Sequence, residues 1–269
     1  MKQYRVLFNP LSGDGTGKAA AMHLMELLPD NELRFFDLTQ IGGMESFLAK
    51  TDPKDTLLIA GGDGTVCRFA DAARGLTRHR PIYYYATGQN NDFWRDLGRQ
   101  PGDPPIPIDR YLRTLPVVQC GGQTRHFVSH VTLGEVSSSL FSLKVTVNGE
   151  AHSFSAVRFA AVTSGKYCAG GLLSPRQDRL CPENGLTVTI LHDTPRFGLA
   201  GILRALRTGN AERYPGSVTV LRSCTLQLQA EWGHSAPPVL LCDGERMSPD
   251  GAEPMALTCS FGTEDPVGR

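Results

Sequence analysis

The first hundred residues alternate short β-rich runs with helical patterns, and this alternation limits the fold more than any other feature of the chain. Strand-like runs lie at 4–9, 33–38, 55–60 and 82–86, and the stretches 18–28, 43–50 and 65–76 between them carry apolar residues at helical spacing. Parallel strands need crossover connections, which are usually helical, so the pattern predicts a Rossmann-like α/β domain with a parallel sheet. The stretch 100–107, QPGDPPIP, can continue neither a helix nor a central strand and reads as a boundary linker. Beyond it, β-rich runs at 117–120, 125–133, 143–147, 155–162, 186–191, 217–220, 225–230, 239–241 and 256–261 are separated by Gly, Pro and Asn turns. One helical pattern, 196–207, interrupts them. The expected architecture is an α/β domain over 1–108 followed by a mainly β, sandwich-like domain over 109–269, whose last strand is a candidate to return to the first domain.

Composition excludes several functions. Lys+Arg and Asp+Glu number 27 each, so no net field draws the whole molecule to nucleic acid, and no nucleic-acid partner is expected. Seven scattered cysteines with no C-x-x-C pair argue against a disulfide framework or a zinc knuckle and for reduced thiols in a cytoplasmic protein. No apolar run reaches the roughly 20 residues that a membrane helix needs, and the first residues lack the features of a secretory signal.

Three turn-rich segments each follow a strand of the first domain, where an open α/β sheet places its binding crevice. In Asn9-Pro10-Leu11-Ser12-Gly13-Asp14-Gly15-Thr16-Gly17-Lys18, glycines and small hydroxyl residues leave backbone N–H groups free to face an anion. The order is not that of a Walker A loop, because Lys18 is followed by Ala19. In Gly61-Gly62-Asp63-Gly64-Thr65, adjacent glycines after the buried run 57–60 allow close backbone approach to a ligand. Asp63 is there either a metal-binding or proton-accepting carboxylate or a helix cap. The third segment, Thr87-Gly88-Gln89-Asn90-Asn91-Asp92-Phe93, suits a nucleotide or an Asx turn.

Together, N-P-x-S-G at 9–13, G-G-D-G-T at 61–65 and T-G-x-x-N-D-F at 87–93 resemble the nucleotide-binding motifs of the diacylglycerol kinase catalytic-domain family. That family is related to sphingosine kinases and, more distantly, to NAD kinases. The likeness continues in the glycine-rich 167–175, in Glu183-Asn184-Gly185-Leu186 and in Cys242-Asp243-Gly244-Glu245. The resemblance implies that ATP and Mg²⁺ are used and that the nucleotide is surrounded by Asn9, Pro10, Ser12, Gly13, Thr39, Gly61, Gly62, Asp63, Gly64, Thr65, Thr87, Gly88, Asn91 and Asp92. It implies Glu245 as general base, with Asp243 of the same turn and Asp63 in catalytic roles beside it. A metal site would include Asn184 and the carbonyl of Leu186. The implied acceptor is diacylglycerol or a similar lipid met at the membrane surface, by a cytoplasmic enzyme peripheral to the inner membrane face; a homodimer is compatible with this reading.

Some positions depart from the family pattern. Gln89 stands where a small hydroxyl residue is usual, Asn184 where an aspartate is frequent, and Glu135 follows Gly134 where an aspartate is common. Between Gly134 and Phe159 the family's long helical stretch is replaced by a short, strand-like segment. A kinase of a soluble acceptor and a nucleotide-binding module without catalysis therefore stay open beside the lipid kinase.

Overall fold

The computed structural model describes residues 2–77, 80–136, 139–173, 185–195, 197–248 and 253–261. Its contacts divide the chain after Leu115. In the first unit, β1 (Gln3–Phe8), β2 (Glu32–Asp37), β3 (Thr56–Gly61), β4 (Ile82–Ala86) and β5 (Ile106–Pro107) form one sheet in the order β2-β1-β3-β4-β5. The first four strands run parallel, and β5 pairs antiparallel to β4. Connecting them are α1 (Ser12–Gly15), α2 (Gly17–Met22), α3 (Leu24–Leu27), α4 (Met44–Ala49), α5 (Asp63–Ala72), α6 (Asp92–Asp96) and α7 (Asp109–Leu112).

Both faces of this sheet are buried, as a parallel sheet requires. Val6, Phe8, Leu58 and Ala60 pack on Ala21 and Leu24 of the α2–α3 layer. The alternate residues Leu7, Leu57 and Ile59 are equally buried, and Tyr84 stacks on Phe93 at 5.7 Å and meets Trp94 edge-on at 5.4 Å. Burial of each large side chain contributes roughly 1.5–3 kcal/mol. The proline-rich stretch read as a linker belongs to this unit: Ile106 and Pro107 make the edge strand, where a missing N–H is tolerated. Just beyond it, Ile108 and Leu112 are fully buried, and Asp109 accepts a hydrogen bond from the Ile82 N–H at 2.8 Å. The division therefore falls after Leu115 rather than at residue 108.

Among the described residues of the second unit, eleven strands form one curled antiparallel sheet. It contains β6 (Pro116–Cys120), β7 (Gln123–His126), β8 (His130–Leu133), β9 (Phe141–Val147), β10 (Glu150–Thr163), β13 (Leu186–His192), β14 (Val218–Ser223), β15 (Thr225–Glu231), β16 (Leu240–Cys242), β17 (Glu245–Met247) and β18 (Met255–Phe261); the small β11 (Tyr167–Cys168) and β12 (Leu172–Leu173) form a separate hairpin. The main path runs β17-β16-β8-β10-β9-β15-β18-β6-β7, with β13 and β14 joined through β10. Side chains connect the two ends of that path. Gln123 Nε2 donates to the Ser248 carbonyl at 2.9 Å, the Cys242 thiol to the His126 carbonyl at 3.4 Å, and Arg125 stands 3.9 Å from Glu245.

The segment expected as one strand at 125–133 is broken into β7 and β8. The amides of Val128 and Ser129 between them, and that of His130 at the start of β8, point at Asp243. In place of the family's long helical stretch stands the β9–β10 hairpin, closed at Asn148 and Gly149, both with positive φ. The expected helix at 196–207 is α8 (Leu199–Arg207), which packs Ile202 and Leu206 against Phe159, Leu191 and Val218 of its own unit. All six described cysteines are free thiols. Burial pushes the Cys120 and Cys259 thiols above their ordinary range. Among the described residues no helix is long and apolar enough to cross a membrane.

Candidate functional site

Three loops leave the C-terminal ends of β1, β3 and β4, and the side chains after each strand fasten it to the others. Asn9, directly after β1, donates from Nδ2 to Thr65 Oγ1 at 3.0 Å, tying the first loop to the second. Ser12 Oγ donates to the Asn9 carbonyl at 2.8 Å and lies 2.9 Å from Thr87 Oγ1, tying the first loop to the third. The Thr87 N–H reaches the Gly61 carbonyl at 2.8 Å, so the second and third loops are joined as well. Asn91 closes the third loop on itself, accepting from the Gly88 N–H at 3.0 Å and donating to the Gly88 carbonyl at 2.6 Å.

Glycine is required where these loops touch. A methyl group on Gly88 would stand 2.7 Å from the Gly62 Cα, and one on Gly13, whose φ is +57°, would stand 2.7 Å from the Thr87 carbonyl oxygen. The helix that follows, α5, has Gly62 as its N-cap with no side-chain cap, so the positive end of its dipole lies at the second loop. Pro10 completes the turn after β1, and Gly64 lies buried in the first turn of α5.

Asp63 is turned inward. Its Oδ2 accepts from the Phe93 N–H at 3.0 Å, and Tyr84 Oη donates to its Oδ1 at 3.4 Å while also lying 3.2 Å from the Gly61 carbonyl. This carboxylate therefore fixes the second loop to the start of α6. Asp92 in that same turn is fully buried and 3.8 Å from the Arg95 guanidinium. The departure at Gln89 has a partner: its amide donates to Asp14, which sits at φ +54° in the first loop.

Beside the loops lies a cavity of about 300 Å³, lined by Asn9, Leu38, Thr39, Met44, Thr65 and Phe69 among others. Thr39, the sequence's candidate after β2, lies on its wall, exposed, with its N–H and Oγ1 both bonded to Asp37 Oδ1. Apart from Thr65, sequence reasoning missed the far wall. Thr65, Arg68, Phe69 and Ala72 line it from α5 at the i, i+3, i+4, i+7 spacing of one helix face, a signal that the sequence carries.

In the second unit, Asp243 and Gly244 have φ of +47° and +81° and turn β16 into β17 with Cys242 opposite Glu245, the pattern of a type I′ hairpin. Asp243 is buried and accepts from the N–H groups of Val128, Ser129 and His130 at 2.6, 2.9 and 2.8 Å. Glu245 opens β17, a quarter of its side chain exposed and 3.9 Å from Arg125. Leu186 is buried at the start of β13, paired with Ser223, while Asn184 lies outside the described residues, as do Glu183, Ser174 and Pro175. Among the described residues no three potential ligands of the His, Cys, Asp or Glu type are grouped to hold a metal.

The family model of the diacylglycerol kinase catalytic domain matches residues 3–119, which contain all three loops. No curated protein matches the chain by sequence. Among solved structures, a diacylglycerol kinase from Bacillus anthracis str. Sterne superposes with a TM-score of 0.61 at 17% identity, covering 99% of this chain and 95% of its own. Yeast NADH kinase complexed with NADH superposes with a TM-score of 0.56 at 13% identity, covering 98% of this chain and 79% of its own. The chain is thus similar to the diacylglycerol kinase catalytic domain through its first unit, and it shares the two-domain fold of these kinases.

Proposed function

We propose that this chain is an ATP-dependent kinase that transfers a phosphoryl group to a hydroxyl of diacylglycerol or a similar lipid. The observation that carries the reading is the fastening of the loops after β1, β3 and β4 into one glycine-lined cradle, in the part of the chain that matches the kinase family. The cradle suits a polyphosphate in composition: glycines and short hydroxyl residues allow close backbone approach, and the loops meet so closely that a Cβ at Gly88 would stand 2.7 Å from the Gly62 Cα. The adjoining cavity, with apolar walls from Leu38, Met44 and Phe69 and polar Thr39 at its edge, suits the nucleoside end.

When bound, ATP supplies the phosphoryl group and Mg²⁺ neutralises charge that grows on it. The protein's own part is to position and to move one proton. Asn9, Ser12, Gly13, Gly61, Gly62, Thr65, Thr87 and Gly88 hold the phosphates; Asn91 and Asp63 keep the loops in place. Glu245 accepts the proton of the acceptor hydroxyl as the new P–O bond forms, and Asp243 acts through it by fixing the turn. Arg125 offsets the resting charge of Glu245.

A soluble acceptor is the second reading, favoured by the fold shared with yeast NADH kinase and by the absence of the family's helical stretch before β10. The test is transfer of labelled phosphate from ATP to diacylglycerol in mixed micelles, with NAD and glycerol as soluble acceptors. Lipid phosphorylation that vanishes in Glu245→Gln, with ATP affinity changed less than about threefold, is the expected result. Transfer to NAD alone replaces the lipid reading, and ATP binding without turnover on any acceptor leaves a nucleotide-binding module.

A further inference from the structure

We infer that the outer face of α8, with Phe197 just before it, is a docking surface for an anionic lipid bilayer. Phe197 is the most exposed large apolar side chain among the described residues, at 102% of its reference area. Single exposed apolar residues are ordinary on a protein surface, so the argument lies in what surrounds this one. The inner side of α8 is occupied: Ile202 and Leu206 are buried against Phe159, Ala161, Leu191 and Val218. That fixes which side remains. Ala200, Arg204 and Arg207 are exposed at i, i+4 and i+7 on that side, and Phe197 lies in the turn that leads into the helix, one residue before its N-cap Gly198.

The helix carries no acidic residue. Neither Arg204 nor Arg207 has an ion-pair partner among the described residues. Of the carboxylates near in sequence, Asp193 is taken by His192 at 2.9 Å, and Glu212 sits beside the further cation Arg213. In a chain of zero net charge, this is a local cationic strip that no carboxylate answers among the described residues. A bilayer with anionic headgroups meets both needs at once: it pairs with guanidinium groups and receives an aromatic ring at its interface. A folded acidic partner would meet the first need but would also require a pocket for a ring that projects fully. The packed inner side keeps the strip rigid, so little order is lost on docking.

The purpose of such a surface rests on reading the acceptor as a lipid, but its physics does not, and the test needs no nucleotide. The full chain is sedimented with vesicles of phosphatidylcholine, with and without phosphatidylglycerol. Binding is expected only to the anionic vesicles and is weakened by salt. Arg204→Gln with Arg207→Gln should lower the partition constant roughly 25-fold, about fivefold for each charge. Phe197→Ser should lower it by about tenfold or more. All three positions are exposed, so the unfolding temperature should stay within a degree or two of the parent, and phosphorylation of a dispersed short-chain acceptor should be unchanged. Equal vesicle binding by parent and variants overturns the inference, as does a concentration-dependent dimer in light scattering that Phe197→Ser abolishes. Vesicle binding that survives a failed ATP assay leaves the surface standing and removes the kinase.

Discussion

Asp243 receives three consecutive backbone N–H groups, from Val128 to His130, while its own backbone turns the chain towards Glu245. Hydrogen bonds to a charged acceptor are about twice as strong as neutral ones, and removal of a buried acceptor leaves the donors without water. Asp243→Asn turns one of the two accepting oxygens into a donor that faces other donors. We expect it to destabilise the second unit by about 2–4 kcal/mol in chemical denaturation and to reduce turnover at least a hundredfold, with ATP affinity preserved. An Asp243→Asn protein that keeps both stability and turnover would show that the turn does not aim Glu245. Both members of this D-G-E turn are visible in the sequence, but their division of labour is not. The amides that Asp243 binds lie more than a hundred positions earlier, and no local pattern announces so distant a partner.

At the level of elements, the loops after β1, β3 and β4 were legible because Gly and short hydroxyl residues directly after a buried run have few other uses. The inward turn of Asp63 was not, since it depends on where the Phe93 N–H arrives from another crossover. The cavity wall on α5 was legible in principle, through Thr65, Arg68, Phe69 and Ala72 on one face, whereas Leu38 and Met44 join it only by tertiary packing. The close approach of Gly62 and Gly88 makes a sharp prediction. Gly88→Ala adds a methyl group 2.7 Å from the Gly62 Cα, which must push two loops apart. ATP affinity measured by titration calorimetry should fall about tenfold or more, a loss of about 1.4 kcal/mol. Gly216→Ala, which meets nothing within 4 Å, is the control and should leave affinity unchanged.

For the molecule as a whole, equal numbers of acidic and basic residues leave no long-range field to gather a tetra-anionic nucleotide, so the proposed binding would rest on short-range groups of the cradle. Ligand at a hundredfold above its Kd stabilises the state that binds it by about 2.7 kcal/mol. Thermal unfolding in MgATP should therefore move up by about 5 °C or more, and an equal concentration of inorganic phosphate should not reproduce it. Both fold classes were readable from the alternation of runs, but the site of division was not: a proline-rich stretch looks like a linker until its edge pairing is known. The fourteen-residue β10 adds a property of its own. Its first half pairs with β9 and its second half with β8 and β13, and the ladder shifts register around Ala156, which has φ +50°. One continuous covalent strand thus serves both parts of the sheet like the spine of a folded card. Neither leaf can part from the other without tearing the ladders that this one strand makes with β8, β9 and β13.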